Sequence, residues 1–261
     1  MTELSAANAG TVKIGDITVN RLGLGTNRIG NNQSSREILR WAVSRGINFF
    51  DTAIRYGWSE EIIGQTLAPY PPGITITTKG GWSDDNSPKT LEARINRSLQ
   101  LLKLSQIPLW QLHRVDERVP LAETMTFLKS QVSAGKVRHV GLSEVSVRQI
   151  ETARQVMPIA SVQNHYNLQN RQHDDVIDYC ERHGIVFMPF FPLASGSSAN
   201  SPALGQLAQK YQVTPIQIAI AWLLKRAPIM LVIPGTLSKE HLDENITATD
   251  IELSDKDFAS L

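Results

Sequence analysis

Phe49-Phe50-Asp51-Thr52-Ala53-Ile54-Arg55-Tyr56-Gly57 is the stretch on which the fold turns. A short apolar run ends in an acid, and a tyrosine and a glycine follow it closely. The pattern predicts a buried strand ending at Asp51 and a loop that carries Tyr56 over the strand end. A helix is expected from about Ser59, with the serine hydroxyl capping its free N–H groups. Loops at the carboxyl ends of strands are where α/β enzymes keep their chemistry. A buried acid is costly without a partner, so a cation is expected nearby, and the next strand offers Lys79.

Outward from this stretch the same unit repeats. Thr11 to Asn20 alternates around Gly15-Asp16 and predicts a small hairpin. Strands are expected at Leu22–Thr26, Ile47–Asp51, Ile74–Lys79, Ile107–His113, Val137–Ser143, Ala160–Asn164, Ile185–Pro189 and Met230–Ile233. Helical patterns alternate with them, the first capped by Ser34 or Ser35. This alternation fits a closed eight-fold barrel or an open doubly wound sheet. A chain of this length with eight units favours the (β/α)8 TIM barrel, preceded by the short N-terminal β-hairpin. A dinucleotide-binding open sheet needs Gly-x-Gly-x-x-Gly after its first strand. Gly23-Leu24-Gly25-Thr26-Asn27-Arg28 lacks the third glycine. No composition break divides the chain, so residues 1–261 are expected to form one domain. Ala194 to Ser201 is expected to be a short loop.

The 261 residues carry a formal net charge of +1, which gives no electrostatic case for nucleic acid. No apolar run approaches the roughly 18 residues of a membrane span, and residues 1–10 hold no secretory h-region. The single cysteine, Cys180, excludes an internal disulfide. A cytoplasmic protein acting on a small molecule is expected, with no metal. The sequence carries no signal for an oligomeric state.

In a barrel the strand ends converge on one face. Asp51, Tyr56, Lys79 and His113 would then meet there. Each alone has a plain structural explanation: a turn cap, a core ring, a rim charge, a buried imidazole. Four such residues on adjacent strand ends point to chemistry. Arg28, Arg55, Trp82 and Arg114 follow the first four strands in turn and would ring the mouth as substrate-facing residues. The arginines could equally be solvated, paired with acids such as Asp116 and Glu117.

The set resembles the aldo-keto reductase family. The resemblance rests on Asp51-Thr52-Ala53-x-x-Tyr56-Gly57, Thr78-Lys79, Leu112-His113, Gly141-Leu142-Ser143 and Val162-Gln163-x-x-Tyr166-Asn167. It continues through Pro189-Phe190-Phe191-Pro192-Leu193, Ile233-Pro234-Gly235 and Glu244-Asn245, in the family's order. It implies a barrel that uses NADPH, with NADH as a second candidate, to reduce aldehydes or ketones. Tyr56 would be the proton donor, Lys79 would favour its phenolate character, Asp51 would balance Lys79, and His113 would orient the carbonyl.

For the cofactor, the resemblance implies Gly25, Thr26 and Ile233 beside it, Ser143 and Gln163 on the carboxamide, and Phe190 stacked on the nicotinamide. Leu193 and Ser195 would lie along the pyrophosphate. Gly235, Thr236, Ser238, Lys239, Glu244 and Asn245 would lie toward the adenosine end. The residue after Ser143 is Glu144 where the family often has Asn. Gly235 and His241 stand where many members carry Lys and Arg for a 2′-phosphate. The last third of the chain is most similar to bacterial reductases that act on pyridoxal, which makes a pyridoxal-like or anionic aromatic aldehyde a candidate substrate. Two other readings keep the same residues: a lyase using Lys79 as a Schiff base, and a regulatory, cofactor-binding subunit resembling channel β subunits.

Overall fold

The computed structural model describes residues 4–82, 86–194 and 202–261. Seven parallel strands lie side by side in chain order. They are β3 (Leu24–Gly25), β4 (Phe49–Asp51), β5 (Thr75–Gly80), β6 (Ile107–Leu112), β7 (Val137–Ser143), β8 (Ser161–His165) and β9 (Val186–Phe190). Helices α1 (Gln33–Ser44), α2 (Ser59–Leu67), α3 (Pro88–Leu102), α4 (Leu121–Ser133), α5 (Val147–Arg154) and α6 (Asp174–Arg182) return the chain between them. Helices α7 (Pro202–Tyr211), α8 (Pro215–Arg226), α9 (Lys239–Thr247) and α10 (Asp255–Ala259) complete the described α-helices.

The strand expected at Met230–Ile233 is not a ladder. It makes two isolated parallel bridges, Phe187 with Met230 and Leu22 with Val232. Leu231 N donates to Phe187 O, Val232 N to Arg21 O, and Gly25 N to Pro234 O. One short segment thus touches β9 on one side and the approach to β3 on the other. Pro228 and Pro234 flank it and carry no N–H, which leaves few donors for a longer ladder.

Side chains alternate across the strands and sort the interior into layers. Phe49, Leu109, Val186, Met188, Leu231 and Ile233 form an apolar layer. Beyond it, Asp51, Lys79, Gln111 and Gln163 form a buried polar layer joined by hydrogen bonds. The other end of the apolar layer is closed by the expected hairpin, β1 (Thr11–Ile14) paired with β2 (Ile17–Asn20). Val12, Ile14 and Val19 pack into the same cluster. A Cβ on Gly15, at φ +62°, would meet the His139 ring at 2.2 Å, so the hairpin turn sits directly on β7. Asp16 beside it bonds His139 Nε2 at 2.6 Å.

Two capping expectations are corrected. Helix α1 is capped by Asn32, whose Oδ1 accepts from Ser35 N at 2.8 Å. Ser34 and Ser35 already lie within the helix, because an Asx cap two residues upstream was available. Ser59 is the first residue of α2, and Trp58 before it makes no side-chain cap. The Ser59 hydroxyl instead donates to Thr26 Oγ1 and accepts from Thr52 Oγ1, both at 2.8 Å. Thr26 Oγ1 in turn donates to Asp51 O at 2.8 Å. This buried hydroxyl chain pins both ends of the Tyr56 loop to the ends of β3 and β4. No described helix is long and apolar enough to cross a membrane.

Candidate active site

Asp51 and Lys79 point inward from neighbouring strands, where parallel register places Asp51 beside Thr77, one pleat before Lys79. Both are buried. Lys79 Nζ donates to Asp51 Oδ1 at 2.7 Å, to Asp51 Oδ2 at 2.8 Å and to Thr52 O at 2.8 Å. An ammonium has three donors, so all are engaged. Asp51 Oδ1 also accepts from Gln163 Nε2 at 2.9 Å. The cation expected beside the buried acid is in place, and the pair lies away from water.

Tyr56 is carried above this pair by the loop after β4. Ile54 N donates to Lys79 O, and Tyr56 N to Ala53 O, which fold the loop back over the strand ends. Lys79 Nζ is 5.4 Å from the Tyr56 ring centroid. The Tyr56 hydroxyl makes no hydrogen bond to another described residue. Burial raises the phenol above its ordinary value and outweighs the opposing Lys79 charge. Lys79 acts in the expected direction and favours the phenolate, but it only limits the rise, because desolvation is larger and sets the net direction.

His113 follows β6, held by its backbone N–H to Gly80 O at 2.8 Å. Its ring stands edge-on to Tyr56 at 6.1 Å and to Trp82 at 4.6 Å. Burial first, then the Lys79, Arg114 and Arg55 charges, push its pKa down to about 2. The imidazole is therefore neutral at physiological pH and keeps one ring N–H to donate.

These residues open into a cleft of about 870 Å³. Asp51, Tyr56 and His113 line it, together with Gly25, Thr26, Arg28, Arg55, Trp82, Arg114, Ser143, Gln163, Phe190, Leu193, Ile233, Gly235, Thr236, Glu244 and Asn245. Lys79 reaches it only through Asp51 and Tyr56. Ser238 and Lys239 do not line it. Ser238 caps α9, accepting from His241 N at 3.1 Å, and the exposed Lys239 pairs with Glu37 at 3.3 Å. Ser195 and most of the loop expected at Ala194 to Ser201 lie outside the described residues. Among the described residues, no group of three or more His, Cys, Asp or Glu could hold a metal ion.

Several lining groups have local partners that sequence patterns do not reveal. Arg114 Nη1 donates to His113 O at 2.5 Å and to Ser143 Oγ at 3.1 Å. Phe190 stacks on His165 at 5.2 Å. Glu144, at φ +54°, turns its carboxylate to His165 N at 2.7 Å. Glu244 accepts from Thr214 Oγ1 at 2.5 Å. The acids offered as partners for the mouth arginines are not used that way: Asp116 pairs with Arg118. Sequence reasoning passed over Asn27, Trp58, Phe191 and Ile216, which also line the cleft. Trp58 stands two residues after Tyr56 and Phe191 directly after Phe190, and they are half exposed, at 52% and 50%. Large exposed rings beside catalytic candidates were the available signal.

The residues present suit an elongated, partly aromatic ligand with an amide at one end. Asp51 only accepts hydrogen bonds, so Gln163 must turn its NH2 toward it. Its carbonyl is left as an acceptor with no partner among the described residues. Gly25 and Gly235 let two backbones meet beside it: a Cβ on Gly25 would lie 2.7 Å from Ile233 O.

The chain is similar to known proteins over nearly its whole length. An uncharacterized oxidoreductase of Schizosaccharomyces pombe is 40% identical, across 99% of this chain and 90% of its own. Pyridoxine 4-dehydrogenase of Escherichia coli is 33% identical, across 97% and 98%. The solved structure of an aldo/keto reductase from Klebsiella pneumoniae with NADP and acetate superposes with a TM-score of 0.86 at 26% identity, covering 95% and 93%. The thermostable aldo-keto reductase Tm1743, solved with the inhibitor epalrestat, gives 0.88 at 27%, covering 94% and 95%. The profile of the Aldo/keto reductase family matches residues 21–261, from the end of the hairpin onward, and the chain belongs to that family.

Proposed function

We propose that this protein reduces aldehydes or ketones to alcohols, with NADPH as the preferred hydride source and Tyr56 as the proton donor. The observation that carries this reading is the convergence of Tyr56, neutral His113 and the Lys79–Asp51 pair on one cleft. A reduced nicotinamide, when bound, supplies hydride to the carbonyl carbon. Tyr56 stays a protonated phenol and gives its proton to the oxygen as negative charge develops there. His113 donates a ring N–H to the same oxygen and orients it. Lys79 acts on Tyr56 through space, fixed by Asp51 and Thr52. Gln163 and Ser143 would hold the carboxamide, with Phe190 against the nicotinamide ring. Leu193 would follow the pyrophosphate. Thr236, Glu244 and Asn245 would take the adenosine end, with Ser238 and Lys239 at its rim.

The relatives solved with NADP or NADPH support that choice of cofactor. The relative named pyridoxine 4-dehydrogenase supports a pyridoxal-like aldehyde as one substrate. The proposal includes one domain over residues 1–261, an eight-fold barrel whose last strand is reduced to bridges, and a cytoplasmic location. A Schiff base at Lys79 fits less well, because its amine is ion-paired, buried and absent from the cleft wall. Oxidation of NADPH and NADH is to be followed against a panel of aldehydes. Aldehyde-dependent oxidation lost in Tyr56→Phe supports the reading. No turnover, or trapping of a carbonyl on Lys79 by borohydride, overturns it.

A further inference from the structure

We propose that Arg55 and Arg114, mounted on the Trp82 indole, form a receptor for an acidic substituent of the substrate. The preferred substrate is then a planar aldehyde bearing a carboxylate or a comparable anionic group. The inference rests on the carbonyl-reductase reading above and names its substrate class.

The Arg55 guanidinium carbon lies 3.6 Å from the Trp82 ring centroid, and that of Arg114 lies 4.4 Å from it. One indole therefore holds two guanidinium groups through its ring quadrupole. Some arginines are paired with acids, such as Arg45 with Asp243, Arg118 with Asp116, and Arg226 with Asp174 and Asp178. Among the described residues, neither Arg55 nor Arg114 lies within ion-pair distance of a carboxylate. Arg114 uses Nη1 on His113 O and Ser143 Oγ. Its remaining donors, and those of Arg55, find no acceptor among the described residues. The Arg55 charge disfavours that of Arg114, and an anion reached by both would offset that cost while accepting their hydrogen bonds.

Glu144 acts on Arg114 through space, from beyond ion-pair distance, and leaves both guanidiniums without a direct carboxylate partner among the described residues. Lys79 and Asp51 neutralise each other. The Glu144 carboxylate is turned toward His165 N and His173. His113 is held neutral, so the positive charge at the mouth belongs to the arginines. The Trp82 ring is 4.6 Å from the His113 ring, so the guanidinium pair sits about one aromatic ring away from the carbonyl-orienting group. Trp58, Trp82 and Phe191 present exposed ring surface to the cleft, which suits a flat substrate between the two.

The test compares 4-carboxybenzaldehyde with 4-methylbenzaldehyde at low salt. Hydrogen bonds to a charged group should favour the acid in kcat/KM by about 10-fold to 100-fold. The ratio should fall toward one in the double variant Arg55→Ala/Arg114→Ala and in the milder Arg55→Gln. It should persist in Arg40→Ala, an exposed arginine outside the cleft. Binding of benzoate, followed by quenching of tryptophan fluorescence against methyl benzoate, reads the receptor without turnover. Equal kcat/KM for both aldehydes in the wild type, or a preference that survives the double variant, overturns the inference and leaves carbonyl reduction standing. If neither aldehyde turns over, the reductase reading falls, and the benzoate titration alone decides. Tighter binding of the benzoate than of its ester then upholds the anion receptor, and equal binding overturns it.

Discussion

The Lys79 ammonium grips both carboxylate oxygens of Asp51, at 2.7 and 2.8 Å, and completes its donor set on the Thr52 carbonyl. Its charge is thus placed beneath Tyr56 without a hydrogen bond to it. A buried pair of this kind is fragile toward loss of one member, because the other charge is left unpaired. Lys79→Met should cost about 3–5 kcal/mol of stability. Replacing both partners, in Lys79→Met with Asp51→Leu, should recover most of that loss while activity stays absent. Urea unfolding of the variants measures this. A single variant as stable as the wild type would remove the pair from its anchoring role.

Tyr56 is half-buried over the same pair, and its hydroxyl has no partner among the described residues. Removing only that oxygen should therefore leave packing nearly unchanged. Tyr56→Phe is expected to lower kcat by roughly 10²- to 10⁴-fold, the usual contribution of a positioned proton donor. Its melting temperature and NADPH affinity should stay close to wild type. The pairing of stopped-flow turnover with fluorescence titration of NADPH is decisive: loss of cofactor affinity together with kcat would assign Tyr56 to binding.

His113 gives a pH prediction with a definite sign. Its folded pKa is depressed to about 2 by burial and by the cations around it. An unfolded histidine titrates near 6.5. Between those values the unfolded chain binds the extra proton, so stability falls as the pH is lowered through this window. The contribution is fully present above about pH 6.5 and is lost progressively toward about pH 2. His113→Gln should flatten that part of the stability curve. In the folded protein the His113 ring protons should not shift in NMR between about pH 5 and 8, where an ordinary histidine titrates. A His113 resonance that titrates near neutrality would contradict the buried, neutral imidazole.

Much of this was legible in the sequence for a physical reason. Strand period two puts Asp51, Lys79 and Gln163 on the inward face, and the apolar or β-branched residues before each mark its strand. Repetition of strand and helix then supplied the order, and the residues ending each strand supplied the site. What escaped depends on contacts between distant segments. The last strand looked like the others, yet Pro228 and Pro234 reduce it to two bridges. Ser59 looked like a helix cap, yet Thr26 and Thr52 engage its hydroxyl. Lys79 should lower a neighbouring phenol, yet desolvation of Tyr56 is a property of the whole cleft and reverses the net direction.

Lys239, expected toward the adenosine end, is the nearest candidate cation for a 2′-phosphate there besides His241, and its partner is Glu37 on α1. The two residues are 202 positions apart, which no local pattern exposes. Both are well exposed, so the pair is weak and readily exchanged for another anion. Lys239 also opens α9, where the helix dipole favours negative charge. Glu37 therefore competes with any phosphate placed there. Glu37→Gln should tighten NADPH by roughly two- to five-fold, the range of an exposed ion pair, and leave NADH unchanged. Lys239→Ala should weaken NADPH by a similar factor, again without effect on NADH. Raising the salt concentration should shrink both differences, because exposed charges are screened. Fluorescence titration of the two cofactors against the two variants settles the point. Parallel changes for NADPH and NADH, or none for NADPH, would place the 2′-phosphate away from Lys239 and leave His241, which does line the cleft, as the cation to examine.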